Sequence, residues 1–216
     1  MLLWNLGEGM TYSKRFSSKF FSRLLKPAHP DNPIRDRATS FEIVFEHLDQ
    51  KNVKNYTIVE TGCMRADHGQ LAMGDDGAST YIFDDFINYY DGQVLSVDIC
   101  QANVDHANSM TSDRTTVHCQ DSVDFLWNLP KKQIDFLYLD SYDIVRENPH
   151  PSQLHHMKEM CAVIDKLGKG SIVCVDDHDA FFTGDGKIAK GSYVKDFMDD
   201  IGYEPIHEGY QIVWVM

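Results

Sequence analysis

The chain has 216 residues, 43% apolar and 25% charged, which suits one large globular domain with a sizeable core and excludes disordered and fibrous classes. Its 33 acidic residues outnumber 20 bases, for a formal net charge of −13. That charge repels nucleic-acid phosphates, so no nucleic-acid partner is expected; small molecules and cations remain compatible.

Five cysteines, Cys63, Cys100, Cys119, Cys161 and Cys174, form no C-x-x-C pair, which argues against a structural zinc site. An odd count without a secretion signal points to reduced thiols and a cytoplasmic location. Cys100, Cys119 and Cys174 lie in or beside apolar runs and read as core fillers. No apolar run approaches the ~20 residues of a membrane span.

In chain order, residues 1–36 read as an N-terminal arm and linker, and 37–216 as the main domain. "SKRFSSKFFSRLLK" (13–26) carries five bases and no acid, with Phe16, Phe20, Phe21, Leu24 and Leu25 at helical spacing. This basic amphipathic helix could pack on its own domain or a second subunit, lie on a membrane surface, or cover a binding site. A homodimer through the arm is one possibility. "KPAHPDNPIRD" (26–36), with three prolines, reads as a linker.

Residues 40–50 read as a helix capped by Thr39 or Ser40. Strand and helix then alternate: strands at 56–60, 93–98, 115–119, 134–140 and 170–176, helices at 79–90, 101–110, 122–129, 152–167 and 193–202. The closing stretches "YEPIHE" and "YQIVWVM" meet at a turn on Gly209 and read as an antiparallel hairpin. Strand–helix alternation implies a doubly wound, Rossmann-like α/β fold, with a mostly parallel seven-stranded sheet and an antiparallel C-terminal hairpin strand.

In open α/β sheets, ligands bind beyond the carboxyl ends of the strands. Polar groups follow five successive strands here: Glu60, Thr61 and Gly62; Asp98; Gln120, Asp121 and Ser122; Asp140; Asp176 and Asp177. One acid at a strand end is a common helix cap; five such ends in succession point to a shared site. Three carboxylates at neighbouring ends would repel one another unless a positive charge lay between them, and oxygen-only donors suit Mg²⁺, Mn²⁺ or Ca²⁺.

This order of motifs resembles the class I S-adenosylmethionine-dependent methyltransferases over about residues 40–216. "ETGC" with "GDDGAST" resembles the family's glycine-rich first loop, Asp98 its ribose-binding acid and "QDS" its adenine-side segment. "YLDSYD" and "IVCVDDHD" look most like the metal-dependent O-methyltransferases of the catechol, macrocin and cephalosporin-hydroxylase-like group. The resemblance implies S-adenosylmethionine binding through Glu60, Thr61, Gly62, Gly77, Ser79, Thr80, Asp98, Asp121, Ser122 and Asp140, with Glu60 on the methionine amine. It implies a divalent cation on Asp140, Asp176 and Asp177, and a small hydroxylated acceptor: a sugar, glycan unit, phenol or natural product. Asp143 stands where that group often carries a Lys or His base; it could accept the hydroxyl proton or cap the next segment. His178 is a rival base or fourth metal ligand, and His155 and His156 read as ordinary surface or packing residues.

The first loop departs from the family's compact form: "CMRADHGQLAMG" (63–74) is expected to fold over cofactor or substrate, with Gly74 and Gly77 allowing close backbone approach. A tight G-x-G-x-x-G after the first strand is absent, which disfavours a nicotinamide dehydrogenase. Two other readings stay open: the same fold running hydrolase or lyase chemistry, and a non-catalytic cofactor- or cation-binding module.

Overall fold

The computed structural model describes residues 10–25, 36–51, 53–65, 76–178 and 188–216. Seven strands, β1 (Tyr56–Thr61), β2 (Gly92–Asp98), β3 (Thr115–Cys119), β4 (Phe136–Leu139), β5 (Ile172–Val175), β6 (His207–Glu208) and β7 (Ile212–Val215), form one sheet in the order β3-β2-β1-β4-β5-β7-β6. β1 to β5 are parallel; β7 runs antiparallel to β5 and forms the terminal hairpin with β6. The expected seven-stranded, mostly parallel sheet with an antiparallel C-terminal hairpin is what the chain forms.

Side-chain alternation along the buried strands explains why helices cover both faces. Tyr56, Ile58, Phe136, Tyr138, Ile172, Cys174 and Val213 belong to one apolar cluster. Their neighbours Val59, Leu137, Leu139, Val173, Val175, Ile212 and Trp214 belong to the other. The first face is covered by α1 (Tyr12–Phe16), α3 (Arg37–Lys51) and α4 (Ser79–Tyr89). The second is covered by α6 (Ser122–Asn128), α7 (His150–Val163) and α8 (Ser192–Asp200), while α5 (Gln101–Met110) packs beside β3.

The arm docks on its own domain. From α1 the chain passes through a π-helical turn, Ser17–Phe21, into the short α2, Ser22–Leu24. Tyr12, Phe16, Phe20 and Leu24 are fully buried in the first cluster. Tyr12 packs edge-on against Phe45 and Phe86, with centroids 4.8 and 4.9 Å away, and its hydroxyl donates to the Ile82 carbonyl. The basic edge lies over α4, where Arg15 and Lys19 both pair with Asp85, at 2.8 and 2.6 Å.

Several local expectations need correction. The helix expected at residue 40 begins at Arg37, because Asp36 caps it: Thr39 N–H donates to Asp36 Oδ1 at 2.9 Å. Ser40 instead donates to the Arg37 carbonyl and to Gln211. β4 starts at Phe136 rather than 134, although the Asp135 backbone still bonds Thr57 and Ile172 on either side, and its carboxylate accepts from Lys51 and the Thr57 N–H. Cys100 and Cys119 are exposed at the carboxyl edges of β2 and β3; Cys63 and Cys174 are the buried thiols. Residues 26–35 of the expected linker and 66–74 of the expected covering loop lie outside the described residues. Among the described residues, no helix is long and apolar enough to cross a membrane.

Candidate active site

Strand order reverses between β1 and β4, each flanked on its other side by a different half of the sheet. The connections that follow them leave for opposite faces of the sheet, to α4 on one and α7 on the other, and open a crevice. Gly62 sits at the parting with φ +80°, where a Cβ would collide with the Asp140 carbonyl. Only glycine lets the two strand ends approach this closely.

Two abutting cavities occupy the crevice. The first, about 270 Å³, is walled by Asp98 and Ile99 after β2, Gln120, Asp121 and Ser122 after β3, and Ser141, Tyr142 and His155. The second, about 180 Å³, is lined by Cys63, Arg65, Asp76, Ser79, Asp140 and Asp143, among others. Gly62, Asp98, Ile99 and Ser141 border both.

Asp98 therefore stands at the junction of the cavities. Its Oδ1 accepts from Cys100 N–H at 2.7 Å, and Asn103 Nδ2 lies 3.3–3.4 Å from both oxygens. Asp121 caps α6 by accepting from Asp124 N–H. Ser122 Oγ contacts His155 Nε2 at 2.8 Å, and His155 lies 3.4 Å from the buried Glu159, which in turn accepts from Ser141 at 2.6 Å. The Glu159 hydrogen bond raises the His155 pKa above the ordinary histidine value, favouring the charged imidazole. With Tyr142 tilted 5.4 Å from its ring, His155 forms part of the cavity wall, not the ordinary packing expected of it.

Glu60 does not reach the cavities as expected. It is fully buried, and its oxygens accept from Ser79 (2.5 Å), Thr80 (2.7 Å) and Ser96 (2.6 Å). Burial raises its pKa to about 7 despite these three donors. It acts from beneath, fixing the start of α4, and Thr80 passes the constraint on by accepting from Met64 N–H at 2.9 Å. Thr61 is likewise buried and lines neither cavity; its hydroxyl faces the Asp140 N–H at 3.4 Å. Gly77, with φ +81°, makes the turn into α4, and a Cβ there would press on the Arg37 side chain at 3.0 Å. Polar groups at the open end of the second cavity are instead Arg65 and Asp76, which pair at 3.3 Å, and Asp143, 3.5 Å from Arg65.

Asp140, Asp176 and Asp177 do converge: one oxygen from each lies within 4.8 Å of the others. The donor chemistry would suit a hard cation. The chain's own cations, however, already engage these oxygens. Lys190 Nζ lies 2.5 Å from Asp140 Oδ1 and 3.0 Å from Asp177 Oδ2. Arg37 grips Asp176 through Nε at 2.9 Å and a terminal nitrogen at 2.6 Å, Gln211 donates to the same carboxylate at 2.6 Å, and Tyr210 donates to Asp177. Burial opposes charge on Lys190, but Asp140, Asp177 and Asp176 outweigh it and raise its pKa. Burial likewise opposes charge on Asp177, yet Lys190 and Arg37 hold that carboxyl below the usual range. Two unit charges 4 Å apart repel by about 4 kcal/mol at an effective dielectric of 20, and a divalent ion would double that. The site as folded does not fit an added metal ion.

His178 is not brought to the cavities. Its ring is buried beside Gly191 and faces Glu208 of β6 at 3.3 Å. Sequence reasoning missed Arg37, Lys190 and Gln211. Lys190 precedes α8 and Arg37 opens α3, so neither carries a local pattern that links it to the acids.

No family model matches the chain, and no curated protein matches it. Solved structures do. The MycE methyltransferase of mycinamycin biosynthesis, solved with Mg and S-adenosylhomocysteine, matches with a TM-score of 0.63 at 14% identity, covering 97% of this chain and 55% of that one. The present chain thus spans about half the length of MycE. CalS11, a TDP-rhamnose 3'-O-methyltransferase of calicheamicin biosynthesis, matches with a TM-score of 0.55 at 14% identity over 93% of this chain and 86% of that one. A putative caffeoyl-CoA O-methyltransferase from Staphylococcus aureus gives 0.53 at 13% identity, covering 96% and 93%. At these identities the likeness establishes the fold alone: the Rossmann-like α/β fold that these methyltransferases also have.

Proposed function

We propose that the protein transfers a methyl group from S-adenosylmethionine to the hydroxyl of a small acceptor. The observation that carries this reading is the paired cavity at the β1/β4 switch point, with an acid at the junction, a mainly apolar wall on one side and a mainly polar one on the other. Cavities of this size and placement suit an extended nucleoside ligand. S-adenosylmethionine supplies, when bound, an electrophilic methyl on a sulfonium.

The chain's residues divide the remaining work. Asp98 accepts from the ribose hydroxyls by charge-assisted hydrogen bonds. Ile99, 78% exposed, offers an apolar face to the adenine, and Gln120, Asp121 and Ser122 offer polar edges. Arg65 and Asp76 provide opposite charges for the amino-acid end, the role first assigned to Glu60. Asp143, beside Asp140 and Ser141 in the second cavity, accepts the acceptor's hydroxyl proton as its oxygen takes the methyl. Lys190 and Arg37 already hold the oxygens of the three converging aspartates, so side-chain cations of the chain, rather than an added divalent ion, stand beside the second cavity.

The reading is tested by following S-adenosylhomocysteine formation over a panel of sugars, phenols and glycosylated natural products. An active acceptor should lose about 10²-fold in turnover, the usual scale of a general base, in Asp143→Asn, which keeps a side-chain oxygen toward Arg65 but is a poor proton acceptor. Unchanged turnover removes Asp143 from the mechanism. Cofactor cleavage without methylated product would favour the lyase or hydrolase reading.

A further inference from the structure

We infer that Lys190 is the resident cation of the acidic centre, and that its ammonium takes the place a divalent ion would need. The inference concerns this centre alone and does not depend on what the neighbouring cavities bind.

Three observations carry it. The ammonium bridges two of the three candidate ligands, at 2.5 Å from Asp140 and 3.0 Å from Asp177. Magnesium needs carboxylate oxygens at about 2.0–2.1 Å, so an ion on those oxygens and the ammonium exclude each other. Second, the third ligand is already committed: both Asp176 oxygens are held by Arg37, and Gln211 adds a third donor. Third, Lys190 is not a surface side chain that swings in and out. Its side chain is 1% exposed, and its backbone N–H donates to the Asp177 carbonyl at 3.2 Å. The preceding Ala189 carbonyl is held by Gln153 at 3.1 Å. Backbone and ammonium are therefore both anchored, to α7 and to the ends of β4 and β5.

The charges agree with this arrangement. Arg37 and Lys190 bring two positive charges against the three acids, and a divalent cation placed among the same oxygens would meet both. Removing the lysine charge while keeping the acids takes away the one that bridges two of them.

The test is a titration of the full-length protein, stripped with chelator, with Mn²⁺ followed by electron paramagnetic resonance. Wild type should show no saturable one-to-one binding below about 1 mM, the weak end of measurable affinity. Lys190→Ala and Lys190→Gln should each gain one Mn²⁺ site at least about tenfold tighter, a step of about 1.4 kcal/mol. Adding Asp140→Asn to Lys190→Ala should abolish it. One Mn²⁺ bound by wild type with micromolar affinity overturns the inference, as do folded Lys190 variants that bind no tighter than wild type. Should those variants fail to fold, the wild-type titration decides alone. Loss of S-adenosylhomocysteine binding in a parallel titration would bear on the proposed function and leave this assignment untouched.

Discussion

Glu60 shows how one buried side chain links strand, helix and pH. Its carboxylate lies wholly inside the fold, held by three hydroxyls, and burial still raises its pKa to about 7. In the unfolded chain it titrates near 4.5. Between those values the folded state holds a proton that the unfolded state has released, so stability falls as pH rises through this window. The loss is on the order of 3 kcal/mol by pH 7. Glu60→Gln cannot ionise, so its stability should decline less than wild type's between pH 4.5 and 7 in urea denaturation at a series of pH values. Parallel pH profiles for the two proteins would mean that Glu60 is charged throughout. The same residue shows where a strand-end acid misleads: the sequence gives its position but not the hydroxyls, at 79, 80 and 96, that close over it.

At the scale of elements, the arm tests whether apolar contact or charge fixes a helix. Phe16 is fully buried between Phe41 and Phe45, with ring centroids at 6.3 and 5.0 Å. Truncating a buried phenylalanine costs about 3–5 kcal/mol. The Arg15 and Lys19 pairs on Asp85 are more than a third exposed on their basic side, where such pairs contribute roughly 0–1 kcal/mol each. Phe16→Ala should therefore lower the thermal midpoint several-fold more than Asp85→Ala, by differential scanning calorimetry. Equal shifts would show that the charged edge, rather than the aromatic face, docks the arm. The apolar period in residues 13–26 was legible as a helix face; its partner was not, because Phe45 and Phe86 belong to helices read separately. That face is now occupied within the chain.

For the molecule as a whole, the legible part was the strand order's consequence. Apolar runs ending in Glu60, Asp98, Asp121, Asp140 and Asp176 pointed to one carboxyl edge, and parallel pairing brings those ends together. Alternation with period two also puts Glu60, Asp140 and Asp176 on the face of Tyr138 and Cys174, beneath α3 and α4. What balances them could not be read, since Arg37 lies 139 residues from Asp176 and Lys190 lies 50 from Asp140. Such partners are set by tertiary packing and leave no periodic trace. His155 escaped for a related reason: on α7 it looks like one of a helical pair, and only the packing of α7 against α6 brings it to Ser122.

The central claim is that the crevice between β1 and β4 binds the nucleoside of a methyl donor through Asp98. Calorimetric titration of S-adenosylhomocysteine, without added metal, tests it most directly. Wild type should bind one-to-one and Asp98→Ala at least about tenfold more weakly, since a hydrogen bond to a charged group contributes about 1.5–3 kcal/mol. No binding to wild type, or equal affinity in the two proteins, would contradict it.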